Sequence, residues 1–274
     1  MENQFADTAS LNTIVLSIDP IVPVKHPPGK NKGELDEIKC KKEFYEKRND
    51  IDYCVALFGD DAQEGIAVIN AITGLPYEDL NEISKKTKST SKSDVTIRFN
   101  KTQELIHISI KSKRGSMPSI LNHTPRSAKV FQTGGSLNNE LANLDILAKE
   151  YHDKRQHGFI SEDVEICKLN SYTNEDIYKS LVNLLIYFIF IGSGSQHSKQ
   201  ESNAILLINK DGSKKYIPCL TAEEKESYVK TISGKCIMSY RKKGMRKNTQ
   251  EQDLPWVFRY NNKDCGAIHI RLAH

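Results

Sequence analysis

Ser93-Asp94-Val95-Thr96-Ile97-Arg98-Phe99, followed six residues later by Leu105-Ile106-His107-Ile108-Ser109-Ile110-Lys111-Ser112-Lys113, is the stretch on which the fold turns. Both runs alternate and are rich in β-branched residues, so both read as strands. Side chains of a strand project to opposite faces with a period of two. Ile106, Ile108 and Ile110 therefore share one face, and His107, Ser109, Lys111 and Lys113 share the other. The first face suits a core; the second is free for chemistry. An aspartate at the start of one strand beside a lysine on the next supplies a hard ligand for a divalent cation and a positive charge near a phosphate. That kit suits metal-dependent phosphodiester hydrolysis. The plain alternative is an aspartate that merely starts a strand whose outer face is solvated.

Outward from this pair, the charge is uneven. The chain has 274 residues and a formal net charge of only +4. Residues 85–114 carry a local net of +7 and residues 235–250 a local net of +6, which leaves about −9 for the rest. Two basic blocks on an otherwise acidic chain point to a polyanion partner, with solvated loops as the alternative. Mean hydropathy is −0.52. The longest apolar run, residues 184–191, has eight residues, against the roughly 20 of a membrane span. The N-terminus lacks the basic-then-apolar start of a signal peptide, so no membrane association and a cytoplasmic place are expected. Cysteines at 40, 54, 167, 219, 236 and 265 form no CxxC pair. They read as free thiols, not as a zinc site.

The order of elements predicts an α/β chain. Residues 11–24 are β-rich but broken by prolines, and 26–33 read as a loop. Residues 34–48 read as a helix. Apolar positions 62, 66, 69 and 72 recur at helical spacing and predict a second helix, headed by Glu64. After the two strands, residues 115–136 read as a loop over the active face. Residues 137–152 form an amphipathic helix, and Asn174 caps another over 175–190. Strands follow near 203–209 and 214–219, joined by Asp211-Gly212, a hairpin signal. A short helix near 221–230 precedes strands near 235–241, 256–260 and 267–272. The expected division is a catalytic core over 1–150 and a β-rich recognition part over 151–274.

With these residues in view, the chain resembles the PD-(D/E)XK nucleases. More narrowly it is similar to the monomeric, MspI-like type II restriction enzymes, through Ser93-Asp94-Val95-Thr96-Ile97-Arg98-Phe99 and Ile108-Ser109-Ile110-Lys111. The likeness extends to the helix–loop–strand run over 175–219. It also includes the end of the chain, from Pro255-Trp256-Val257-Phe258 to Ile268-His269-Ile270-Arg271.

The resemblance implies a core of mixed β-sheet flanked by helices, Mg²⁺ as cofactor and double-stranded DNA as substrate. It implies a short, GC-rich four-base site, 5′-phosphate products, a monomer, and a partner methyltransferase in a prokaryotic cytoplasm. Asp94 matches the metal-binding aspartate and Lys111 the catalytic lysine. Ser109 stands where most of the superfamily has an acid. The Ile110 carbonyl is a further metal ligand, and Glu64 is the expected helix carboxylate, with Glu43 and Glu46 as substitutes. An ordinary first-turn glutamate is the plain reading of Glu64.

Lys113 and Arg114 are expected at phosphates near the cut, or as solvated charge. The run Arg241, Lys242, Lys243, Arg246 and Lys247 is expected to grip the backbone. His269 and Arg271 match the terminal base-reading motif, since arginine binds guanine O6 and N7 bidentately. The plain alternative there is a surface strand with one exposed arginine. Trp256 and Phe258 are expected in the core, and His107, His123 and His197 have no assigned role. A DNA-binding protein descended from a nuclease, without catalysis because of Ser109, is the alternative function.

Overall fold

The quoted stretch forms an antiparallel pair, β2 (Val95–Phe99) and β3 (Leu105–Ser112), in a computed structural model. The structure describes residues 32–84, 91–114, 118–123, 137–157, 174–193, 196–197, 200–240, 258–260, 263–265 and 268–272. Val95 lies opposite Ile108 and Ile97 opposite Ile106. The apolar face predicted from alternation is buried, with Ile97 and Ile108 fully enclosed.

β1 (Ile66–Ile69) adds to the other side of β2, antiparallel. β7 (Ala204–Ile208) adds to β3 in parallel, and β8 (Lys214–Pro218) to β7 antiparallel. The sheet order is β1-β2-β3-β7-β8. This is a mixed sheet with helices against it: α1 (Lys32–Glu46) and α2 (Ile51–Phe58) supply Cys40, Phe44, Cys54 and Phe58 to its core. Phe58 meets Phe44 and Tyr216 edge-on, with centroids 5.4 and 5.2 Å away. Such contacts add to simple burial. Asp50 caps α2 by accepting the Tyr53 N–H.

The helix expected across 62–72 is absent, and β1 stands in its place. Gly65 has φ +80°, and a Cβ there would lie 2.5 Å from the Arg48 carbonyl. The Ile66 N–H donates to that carbonyl. A helix cannot continue through this left-handed turn, which only glycine tolerates at such a close approach. Beyond it, Ile66-Ala67-Val68-Ile69 is buried against β2, and burial overrides the helical spacing.

The chain divides into two interleaved units and not at a single boundary near residue 150. The sheet above belongs to one, built from residues within 32–118 and 198–225. The other comes from residues within 119–197 and 226–273. The physical cause is the β3–β7 ladder, which joins residues near 110 to residues near 206.

In the second unit, α3 (Asn138–Gln156) packs with α4 (Glu175–Ile186), tied by Asn143 to Ser180 and Asn183 to Glu140. Asn174 caps α4 as expected. The helix continues as a buried π-helical turn, Tyr187–Ile191. β12 (Ile268–Leu272) lies between β4 (Ser119–His123) and β9 (Cys236–Tyr240), antiparallel to both. The strand β4 thus occupies part of the stretch expected to be loop. Short pairs β5–β6 (Gly192–Ser193, Gln196–His197) and β10–β11 (Phe258–Tyr260, Lys263–Cys265) complete the unit, with α5 (Ala222–Ser233) leading into it. His123 and His197 lie on strands.

Residues 11–24 and the basic run over 241–247 lie outside the described residues. Among those described, no helix is long and apolar enough to cross a membrane. Cys40, Cys54, Cys219 and Cys236 are free and buried. Burial pushes the Cys40, Cys219 and Cys236 thiols up to about 12, so they carry no reactive thiolate near neutral pH.

Candidate active site

Asp94 sits immediately before β2, and its own N–H donates to the Ile108 carbonyl at 2.8 Å. Its Oδ2 accepts the Ile110 N–H at 2.7 Å and the Ser109 hydroxyl at 3.4 Å. The carboxylate is thus seated on the backbone of β3, half-buried. Ile108 and Ile110 both direct their peptide groups to the β2 side. A residue's N–H and C=O point the same way from a strand, so the Ile110 carbonyl faces that side too. Ser109 is 1% exposed. Its hydroxyl faces Asp94 as a hydrogen-bond donor. Lys111 follows on the same face of β3 as Ser109, half-buried.

Two lysines that the sequence reading passed over adjoin this centre. Lys92 is half-buried, and burial together with the nearby Lys111 pushes its ammonium down to about 7, against the pull of Asp94. Lys41, on α1, is buried and lines a small cavity with Ser93, Asp94 and Thr96. Burial lowers its pKa, while Asp94 and Glu37 act in the opposite direction. Both had bland signatures. Lys92 lies in a Lys/Ser-rich stretch that reads as loop, and Glu37–Lys41 has the i,i+4 spacing of an ordinary surface pair.

The helix carboxylate is where the expectation fails. Glu64 precedes β1 at the opposite end of the β1–β2 ladder from Asp94. Ile66 is opposite Phe99 and Ile69 opposite Thr96, so Glu64 is some seven residues, about 23 Å, from Asp94 along the strand. Its carbonyl accepts from Asn100, and its side chain is exposed. Glu43 is occupied elsewhere, by Lys214 Nζ at 2.7 Å and the Tyr53 hydroxyl at 2.8 Å. Glu46 ends α1, exposed. Glu37 is the helix carboxylate whose field reaches the Lys41 ammonium together with that of Asp94.

Arg114 does not stand free for a phosphate. Its Nη1 is 3.0 Å from Oδ1 of buried Asp36, whose other oxygen accepts the Ser112 hydroxyl at 2.6 Å. The pair fastens the end of β3 to α1. Lys113 continues the ladder, its N–H donating to Ile208. In the other unit, His269 lies in register with Asn122 and Ser239 on the flanking strands. Arg271 is two positions along β12, half-buried, and burial lowers its pKa.

Among the described residues, no three His, Cys, Asp or Glu side chains gather as a metal-binding group. The donors at Asp94 are oxygens: its carboxylate and the Ile110 carbonyl. That is the chemistry of Mg²⁺, which keeps several waters and takes only one or two carboxylates. The residues present therefore fit such an ion. No protein-family model matches the chain, and no curated protein matches it.

Proposed function

We propose that the chain is a Mg²⁺-dependent, site-specific endonuclease of double-stranded DNA, of restriction–modification type and with a PD-(D/E)XK-like core. The observation that carries this is Asp94 seated on the Ile110 N–H, with Lys111 next along the same strand. Support also comes from the order of a helix, three antiparallel strands and a fourth strand parallel to β3.

Asp94 and the Ile110 carbonyl would hold the ion, which supplies a water of lowered pKa and neutralises phosphate charge. Lys111 provides a fixed positive charge where negative charge grows on the phosphate during in-line attack. Lys92 adds a second lysine beside it. The orientation of Asp94 is set by β3 itself, so the ligand does not have to reorganise when DNA arrives. Cleavage would leave 5′ phosphates. Arg271 and His269 are the candidates for base contact, and the basic run over 241–247 for backbone contact. Host DNA would be protected by a methyltransferase acting on the same site.

One observation favours the second reading, a DNA-binding protein without catalysis. Ser109 replaces an acid, and Lys41 already supplies a cation near Asp94 and Glu37. The two are separated by incubating purified protein with unmethylated phage DNA and Mg²⁺, beside Lys111→Ala and EDTA controls. Discrete fragments that vanish in both controls are expected. Intact DNA with retained binding, in Mg²⁺ and Mn²⁺ alike, leaves the binding protein.

A further inference from the structure

The two segments that lead into β2 and β7 meet across β3, and Gln200 is where they meet. Ser91 and Gln200 form a parallel bridge. The Gln200 carbonyl accepts the Lys92 N–H at 3.0 Å. Its Oε1 accepts from the Ser91 and Ser93 hydroxyls at 3.2 and 3.3 Å. Its Nε2 lies 3.0 Å from Nδ1 of His107 on β3. His107 is itself held: its N–H donates to Asn203 Oδ1 at 2.6 Å, and its carbonyl accepts the Asn203 N–H at 2.9 Å. Thr96 Oγ1, from β2, approaches the same Nδ1 at 3.1 Å. One residue therefore ties three consecutive residues, Ser91 and Ser93 through its side chain and Lys92 through its backbone carbonyl, to the middle strand of the sheet.

A carboxamide nitrogen only donates, so with Nε2 at this position Nδ1 of His107 accepts; with the amide turned over, Oε1 accepts from Nδ1–H and the same clasp forms. The ring is neutral in either arrangement. The residues so gripped are the three immediately before Asp94, and the middle one is Lys92.

We propose that Gln200 is a positioning residue of the site, setting Lys92 and Asp94 through its clasp on Ser91 and Ser93 and using neutral His107 as its fixed point. This rests on the nuclease reading. A misplacement of about 1 Å in such a site costs about 100-fold in rate without requiring loss of binding. Mere cross-strand glue would cost stability and leave the rate of bound substrate alone.

The test compares wild type, Gln200→Ala and Gln200→Glu by single-turnover cleavage of phage DNA in Mg²⁺, by DNA binding in Ca²⁺, by melting, and by ¹⁵N chemical shifts of the His107 ring. The expected result for Gln200→Ala is a rate about 100-fold lower, DNA affinity within about threefold and a melting temperature within about 3 °C. Gln200→Glu keeps the acceptor for both serines but cannot donate to Nδ1. It should regain most of the rate and turn the ring to the Nδ1–H tautomer.

Gln200→Ala cleaving as fast as wild type overturns the clasp. So does Gln200→Ala losing stability and binding with an unchanged rate for the bound DNA. A wild type that leaves DNA intact sinks the nuclease reading and the catalytic role together. A cleaving wild type beside an equally fast Gln200→Ala sinks the clasp alone.

Discussion

Ser109 faces Asp94 at 1% exposure, so the two side chains behave as one unit. Replacing the hydroxyl by a carboxylate would press two acids together in a site nearly closed to water. Ser109→Glu is expected to destabilise the metal-free protein by about 2 kcal/mol, with Mg²⁺ restoring part of that in calorimetric melting. Lys111→Ala should lower cleavage by about 100-fold or more while DNA affinity falls only slightly, read by single-turnover kinetics.

His107 gives a pH dependence of definite sign. Burial lowers its pKa from the ordinary 6.5. The unfolded chain therefore binds a proton more readily than the folded one. Stability from this residue is fully present above pH 6.5 and is lost as pH falls from there through the folded value. Urea midpoints should drop over that interval, and His107→Gln should flatten the drop.

At the scale of elements, the β2–β3 pair was legible because both kinds of information agree there: alternation of side chains and β-branched composition. Asp94 and Lys111 were legible with it, since their strand positions place them on one face. β1 was not. Ile66, Ile69 and Ile72 fit a helix as well as a strand, and the deciding fact is tertiary: the close approach of Gly65 to the Arg48 carbonyl. Losing that helix also removed Glu64 from the site.

Lys41 could not have been singled out, because nothing local distinguishes it from the other lysines of α1; only its burial beside Ser93, Asp94 and Thr96 does. Gln200 was invisible for a similar reason, its partners lying 93 to 109 residues away in sequence. The turn before β1 makes its own prediction. Gly65→Ala forces both a positive φ and a backbone clash, and should cost about 2 kcal/mol or more in chemical denaturation.

Over the whole molecule, charge and topology carry separate messages. The five cations Arg241, Lys242, Lys243, Arg246 and Lys247 form one block of sequence. If they meet DNA phosphates, changing all five to Gln should make the plot of log affinity against log salt shallower by about 4.5. Binding titrations at several salt concentrations read this directly.

Topology bears on how the protein is made. β3 ends at Ser112, and the strand that covers its free side begins at Ala204. On the ribosome, synthesis runs at roughly 5–20 residues per second. For several seconds, then, β3 emerges with one side unpaired, an edge open to other chains. The ninety-odd residues made in that interval are mostly those of the other unit. Its helices are under construction before the sheet can close. Gln200, the residue that draws the two halves of the site together, comes late in the same stretch. A newborn chain thus passes most of its synthesis without the finished arrangement around Asp94, and a truncated one never acquires it.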